Sequence, residues 1–290
     1  MTTPDETSYD DTARAPRVAA ILTCFNRRAL TLASLAAITE SAALAGVELA
    51  IYIVDDGSRD GTADAVRAAF PHAHVIMGTG SLYWNQGMRL AWSTARADNP
   101  DFYLMLNDDL EVRPAALGGA LATWRAAGDG PVVVGKTVDP DSGVVSYGGY
   151  RRASRHSRLS YRHLHAGETE CDTMTGNFVL IPRAVVAAIG ILDAHYSHGW
   201  GDIDYGLRVR RAGFRIVEHA EPVGTQALNE AFRRASTMLT LKTLRFTLTH
   251  PKGVPAREWL YFCRQHAGPR WPLNFVVRYG RMAFNGMVQR

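Results

Sequence analysis

Residues 49–62 read LAIYIVDDGSRDGT. Six apolar residues stop abruptly at two aspartates and a glycine, and a helical ADAVRAAF follows at 63–70. A short apolar run with no polar alternation is a strand covered on both faces. That predicts a parallel sheet with a helix returning over it. The same unit recurs on either side. VAAIL (18–22) leads into TCFNR (23–27) and an alanine- and leucine-rich helical stretch to about Gly46. HVIM (74–77) runs into GTGSLYWNQG and a helix to about Ala97, and FYLML (102–106) ends in NDD (107–109), with a helix starting near Pro114. Right-handed crossovers would assemble these units into the first half of a mostly parallel sheet. Each polar cluster falls just past the C-terminal end of a strand, the edge of an open α/β sheet where ligands bind.

The second half is more mixed. VVVGK (132–136) and RIV (215–217) read as strands, NFVLIPR (177–183) as a strand entering a helix, and 143–165 as a long loop or irregular hairpin. Residues 227–290 read as helical, with breaks at Pro251, Pro255 and Pro269. Residues 1–16 are polar and aperiodic, which predicts a disordered tail. The expected organisation is therefore a tail (1–16), a catalytic domain (17–226) and a helical C-terminal extension (227–290).

Composition removes several classes. Cys24, Cys171 and Cys263 lie far apart and form no CxxC pair, which argues against a disulfide framework or structural zinc and fits a reducing compartment. No basic start precedes an apolar run and a cleavage site, so no signal peptide is expected. No stretch reaches the roughly 18 apolar residues of a spanning helix. A net charge of +4 is too mild to indicate nucleic acid. Glycines 78 and 80 would put the third glycine of a dinucleotide fingerprint on Tyr83, and there is no Walker A sequence.

The chemistry concentrates in three places. In LMLNDDL (104–110) two adjacent carboxylates end a buried strand, and they repel unless a cation is near. Mg²⁺ or Mn²⁺ suits such oxygen ligands and commonly keeps substrate phosphates in its shell; a solvated turn is the plain alternative. In IVDDGSRDGT (53–62) a strand-end carboxylate can accept bonds from a base or from ribose hydroxyls, or can simply close a turn that caps a helix. GSLYWNQGMRLAW (80–92) offers glycines for close backbone approach and a helix N-terminus for an anion, with Tyr83 and Trp84 fitting ligand or core equally.

Taken with TCFNR, these segments resemble glycosyltransferase family 2, inverting enzymes of the Rossmann-like GT-A fold, over roughly residues 17–225. The resemblance implies that Thr23, Asn26, Arg27, Asp55 and Asp56 hold the nucleoside. Asp108 would lie near the ribose or metal, Asp109 would be the principal metal ligand, and Asn85 and Gly87 would be nearest the sugar or diphosphate. The family's DxD-type motif matches Asn107-Asp108-Asp109, with asparagine in the first position. HGWGDIDYGLRVRRAGF (198–214) falls where the family carries Glu-Asp-x-Asp. Here the tetrad is Gly201-Asp202-Ile203-Asp204, so the first acid is missing and Asp202 becomes the expected catalytic base. Asp204 would cap or orient the first helical turn. Trp200 would border the acceptor, as would Gly176 and Asn177, for which a simple strand entry is the favoured alternative.

The resemblance further implies a nucleotide-diphospho-sugar donor (a dTDP- or UDP-sugar), a divalent metal (Mg²⁺ or Mn²⁺) and a glycan or lipid-linked acceptor. The LYWNQG and GDIDYGLR segments are similar to those of bacterial surface-polysaccharide enzymes, including rhamnosyltransferases, which implies a cytoplasmic protein or one peripheral at the inner face of the membrane. The arginine- and histidine-rich segment 151–165 fits a solvated hairpin better than a diphosphate-holding flap, and His219 and His250 are structural or extra metal ligands. The tail mixes aromatics with arginine, fitting packing on the catalytic domain or a homodimer interface, with weak membrane-surface contact left open. Two other functions fit parts of the same pattern. A catalytically silent nucleotide-sugar-binding scaffold of this fold is favoured slightly by Gly201 and opposed by intact Asp109 and Asp202. A nucleotidyltransferase would want a glycine-rich triphosphate loop, and TCFNRR has no glycine.

Overall fold

Strand β1 (Arg17–Cys24) sits near the middle of a seven-stranded sheet and is almost wholly buried from Val18 to Leu22. The structure is a computed structural model that describes residues 14–155, 157–229 and 237–288. Most of the expected 1–16 tail therefore lies outside the described residues; Arg14, within them, forms an ion pair with Asp101 at 2.7 Å.

β1 is followed by α1 (Arg28–Leu44), β2 (Glu48–Asp55), α2 (Thr62–Ala69), β3 (His74–Met77), α3 (Tyr83–Ala95) and β4 (Phe102–Leu106). β2 and β4 flank β1, and β3 lies outside β2, all parallel. A short β5 (Glu111–Val112) and α4 (Ala116–Ala127) precede β6 (Val132–Val134). Past β7 (Thr137–Val138), β8 (Val145–Tyr147), β9 (Gly149–Arg152), β10 (Tyr161–His163) and β11 (Thr173–Met174), β12 (Phe178–Pro182) enters the main sheet. It runs antiparallel between β4 and β6 and is its one reversed strand. The chain continues through α5 (Arg183–Ile189), α6 (Gly201–Arg211), β13 (Ile216–Glu218) and β14 (Gly224–Thr225). The sheet order is β13-β6-β12-β4-β1-β2-β3. A mostly parallel sheet with helices on both faces is the expected GT-A architecture.

Two apolar layers hold it together. α3, α5 and α6 pack on one face through Met88, Trp92, Val185, Tyr205 and Val209. α1 and α4 cover the other through Ile38, Ala42, Leu117 and Leu121. The segment 143–165 resolves into β8 and the antiparallel hairpin β9–β10, where Arg151 and Arg162 both reach Glu168. The extension contributes α7 (Leu244–Thr249), α8 (Ala256–His266) and α9 (Trp271–Val288). Part of the chain before α7 lies outside the described residues. Trp259, Phe262, Cys263 and Met282 of α8 and α9 form a cluster with Tyr196, Trp200 and Leu207, so these helices pack beside α6.

Candidate active site

The strand ends converge as the sequence predicts, and the carboxylates they carry have different tasks. In the β2 turn, Asp55 Oδ1 accepts the Ser58 N–H at 2.7 Å, closing a tight turn that needs Gly57 at φ 82. Its Oδ2 is buried with no hydrogen-bond partner. Asp56 is also buried, and accepts the N–H groups of Gly80 (2.8 Å) and Tyr83 (3.0 Å), holding the loop before α3 in place. Asp60 accepts the N–H groups of Thr62 and Arg28 and so stabilises the starts of both α2 and α1. The β1 turn is fastened to the β2 turn by Asn26, whose backbone N–H donates to Ser58 Oγ and whose Oδ1 accepts from the Arg59 N–H, each at 2.8 Å. Thr23 Oγ1 donates to the Val54 carbonyl at 3.1 Å.

The acidic turn after β4 is the electrostatic centre. Arg27 Nη1 lies 3.1 Å from Asp108 Oδ1 and 2.5 Å from Asp109 Oδ2, bridging the two carboxylates. Asp109 Oδ1 accepts the side-chain amide of Gln226. Asp108 Oδ2 is buried without a partner. Burial, opposed by Arg27 and reinforced by Asp109, pushes the Asp108 carboxyl up to about 7. Asn107 is engaged by a neighbouring ring. Its Oδ1 accepts the indole N–H of Trp84 at 2.9 Å, a bond that an amide makes without adding a third carboxylate.

These groups line two connecting arms of one cleft. The first, about 380 Å³, is bordered by Thr23, Phe25, Asp56, Tyr83, His250 and Lys252. The second, about 340 Å³, is bordered by Asp109, Asn177, Trp200, Asp202, Gln226 and Arg278. Arg27, Trp84, Asp108 and His198 line both. Asp202 stands in the first turn of α6, where Ile203 N–H donates to Oδ1 at 2.8 Å and Gly176 N–H to Oδ2 at 3.2 Å. Burial pushes its carboxyl above the ordinary value, and those N–H groups pull the other way. Trp200, at φ 72, packs at a tilt on Trp259 and lies under the Arg278 guanidinium, 4.5 Å from the ring centre.

Several expected residues stand elsewhere. Asn85 is fully buried, and its Nδ2 donates to the carbonyls of Asp193 (2.8 Å) and Tyr196 (2.7 Å). Gly87 lets α3 cross β1, since an added Cβ would lie 2.3 Å from Thr23 Oγ1. Both shape the wall behind the cleft and border neither arm. Gly176 likewise makes room for the Trp84 ring, 2.6 Å from an added Cβ. Asn177 Nδ2 donates to Gln226 Oε1 at 2.8 Å, tying the loop before β12 to the partner of Asp109. Asp204 is wholly internal, accepting from Arg208 Nε and pairing with His266 Nε2, each at 2.8 Å, which fastens α6 to α8. His219 is remote from the cleft, paired with Thr123 at 2.8 Å, whereas His250 lines the first arm.

Gln226, His198, Lys252 and Arg278 were not legible as site residues. Gln226 reaches Asp109 because β14 pairs with β5, directly after the acidic turn. That pairing is close, and a Cβ on Gly224 would sit 2.2 Å from the Glu111 carbonyl oxygen. Arg278 had a usable signal, as a cation on the helix face that also carries Phe275, Tyr279 and Met282. Burial pushes it down to about 10. His198 is pushed down to about 4 by burial and by Lys252, His250 and Arg27, so it is neutral at neutral pH.

The profile described as "Glycosyltransferase like family 2" matches residues 16–247. The chain belongs to this family. It is 26% identical over 198 residues to the N-acetylglucosaminyl-diphospho-decaprenol L-rhamnosyltransferase of two Mycobacterium tuberculosis strains, CDC 1551 / Oshkosh and ATCC 25618 / H37Rv. That match covers 58% of this chain and 63% of the relative, so the chain spans under two thirds of the curated relatives' length. Among solved structures it resembles the mannosyltransferase PcManGT of Pyrobaculum calidifontis, in complex with GDP-Man and Mn²⁺. The TM-score is 0.59 and the identity 17%, covering 96% of this chain and 73% of the other. It also resembles S. aureus TarS residues 1–349, with a TM-score of 0.54 and 14% identity, covering 85% and 79%. At these identities the structures support the GT-A fold alone, and the family match carries glycosyl transfer.

Proposed function

We propose that this chain transfers a sugar from a nucleotide-diphosphate donor to a hydroxyl acceptor with inversion at the anomeric carbon. One observation carries the proposal. The two arms of the cleft meet at Asp108 and Arg27, and Asp202 lines only the arm away from the β1 and β2 turns. The first arm, with Thr23, Asp56 and Tyr83, takes the nucleoside. Arg27 and Lys252 offer positive charge, and the neighbouring histidines hydrogen-bonding ring nitrogens, to the diphosphate where the arms join. Asp202 draws the proton from the acceptor hydroxyl as that oxygen attacks the anomeric carbon from the face opposite the leaving group.

The donor set at the acidic turn fits a divalent cation. Asp108 Oδ2 is a buried carboxylate oxygen with no partner, and Arg27, which bridges the other oxygens of the pair, would yield part of that contact to an ion. Among the described residues no cluster of three or more His, Cys, Asp or Glu stands together. Asp109 and Asp108 would therefore hold Mg²⁺ or Mn²⁺ with donor phosphate and water completing the shell. When bound, the ion would offset charge on the departing diphosphate. Asp109→Ala is expected to weaken Mn²⁺-dependent donor binding by at least about tenfold, since even the outer-shell partners of a metal ligand contribute that much. Calorimetry with and without EDTA measures this, and equal affinity in both proteins would exclude the assignment.

The mycobacterial relative is named for rhamnose and a diphospho-decaprenol acceptor. By that similarity we propose a dTDP- or UDP-linked deoxyhexose and a lipid-linked glycan acceptor, in bacterial surface-polysaccharide assembly. A thermal-shift panel of UDP-, dTDP- and GDP-sugars, each with and without Mn²⁺, tests the donor. A donor at a hundredfold excess over its dissociation constant should add about 2.7 kcal/mol. A metal-dependent shift confined to one nucleotide class supports the proposal, and no shift with any donor overturns it.

A further inference from the structure

Helix α9 is sided in an unusual way. Phe275, Tyr279 and Met282 pack inward on the α8 cluster. The outer face carries Leu273, Val276, Val277, Phe284, Met287 and Val288, several of them more than 60% exposed. At 3.6 residues per turn these six fall within a sector roughly 120° wide, an uninterrupted apolar stripe along the helix. No helix among the described residues is long and apolar enough to cross a membrane.

Charge identifies what the stripe faces. From Leu239 to Val288 the sequence has one acidic residue, Glu258, against eight lysines and arginines, and α9 itself has no acid. Arg281 is exposed at the edge of the stripe. At the N-terminal end of α9, Arg155, Arg158 and Arg270 line a pocket of about 310 Å³ together with Asn274. A second copy docked on this face would bring arginine against arginine with no carboxylate on the helix to pair them. An anionic lipid surface meets both requirements, apolar acyl chains for the stripe and phosphates for the guanidinium groups.

We propose that α9 lies in the interfacial plane of an anionic membrane, its outer face among the acyl chains and the Arg155–Arg158–Arg270 pocket on a lipid phosphate. The anchor goes beyond the transfer chemistry and does not depend on it. Its consequence for the cleft is positional. Arg278, on the inner side of α9, borders the second arm, so the membrane would lie about one helix diameter, roughly 10 Å, from that arm.

Flotation of the full chain with phosphatidylcholine vesicles, with and without phosphatidylglycerol, tests the anchor. The chain should float with the anionic vesicles and not with phosphatidylcholine alone, and binding should weaken as salt is raised. Val276→Asp with Phe284→Asp should reduce partitioning at least about tenfold. Arg155→Ala with Arg158→Ala should reduce the preference for phosphatidylglycerol several-fold. All four positions lie outside the cleft, so thermal midpoint and nucleotide-sugar shift should match the parent protein. Absence of flotation with anionic vesicles, or equal flotation of the aspartate variant, overturns the proposal. So does a dimer, seen by light scattering, that the aspartate pair dissociates while vesicles are not bound.

Discussion

Asp202→Asn is expected to lower turnover by about two to four orders of magnitude, the usual contribution of a positioned general base, while donor affinity stays within a few-fold of the parent. Asp202 lines the second arm and is absent from the lining of the first, so the substitution leaves the proposed nucleoside contacts untouched. The asparagine is nearly isosteric, but it presents an NH₂ to one of the two N–H groups that the carboxylate now accepts from Ile203 and Gly176. That mismatch should cost about 1 kcal/mol of stability. The pH profile separates the two effects. Because burial raises the folded-state pKa of Asp202, its contribution to stability is full below the unfolded value and is lost as pH rises through the folded one. The melting difference between parent and variant should therefore narrow toward alkaline pH. Turnover should move the opposite way, rising in the parent with an acid limb above the ordinary carboxylate range and staying flat in the variant. Rates measured with saturating donor across the pH range decide this, and parent-like turnover in the asparagine variant would falsify the base assignment.

The sheet was legible because its signals are local. FYLML is β4 residue for residue, and its burial on every side explains why the run has no polar alternation. The DDGSRDGT turn was legible as a turn, although most of its carboxylate oxygens accept backbone N–H bonds. Asp55 Oδ2 is the oxygen left open. What the sequence hid was anything made by pairing across distance. Gln226 reaches Asp109 through a two-residue strand, and Lys252 reaches the first arm only because the extension folds back beside α6. Asn85 stands away from both arms for the opposite reason. Its motif resembles a donor-pocket segment, but α3 is amphipathic, and position 85 lies on its buried side with Met88 and Trp92, where the amide holds the 193–196 loop.

Gly201→Ala should lower the thermal midpoint by roughly 5–10 °C, corresponding to about 2–4 kcal/mol. Helix propensity predicts the reverse, a gain of up to about 1 kcal/mol for glycine to alanine inside a helix. Packing is expected to win. A Cβ at position 201 would lie 1.8 Å from Asn85 Oδ1 and 2.7 Å from its Cγ. Asn85 cannot retreat without giving up two buried bonds, to Asp193 and Tyr196, and overpacking of this kind alone costs about 1–3 kcal/mol. Position 201 thus has little room for a side chain, because the start of α6 packs directly on α3. Gly201→Glu should destabilise further and should not raise turnover. In an Asn85→Ala background the cost of Gly201→Ala should shrink, a coupling that a double-mutant cycle reads directly. If Gly201→Ala instead melts like the parent and Gly201→Glu increases transfer, position 201 is a vacancy left by a lost acid. The silent-scaffold alternative would then recover the weight that the packing of Asn85 takes from it.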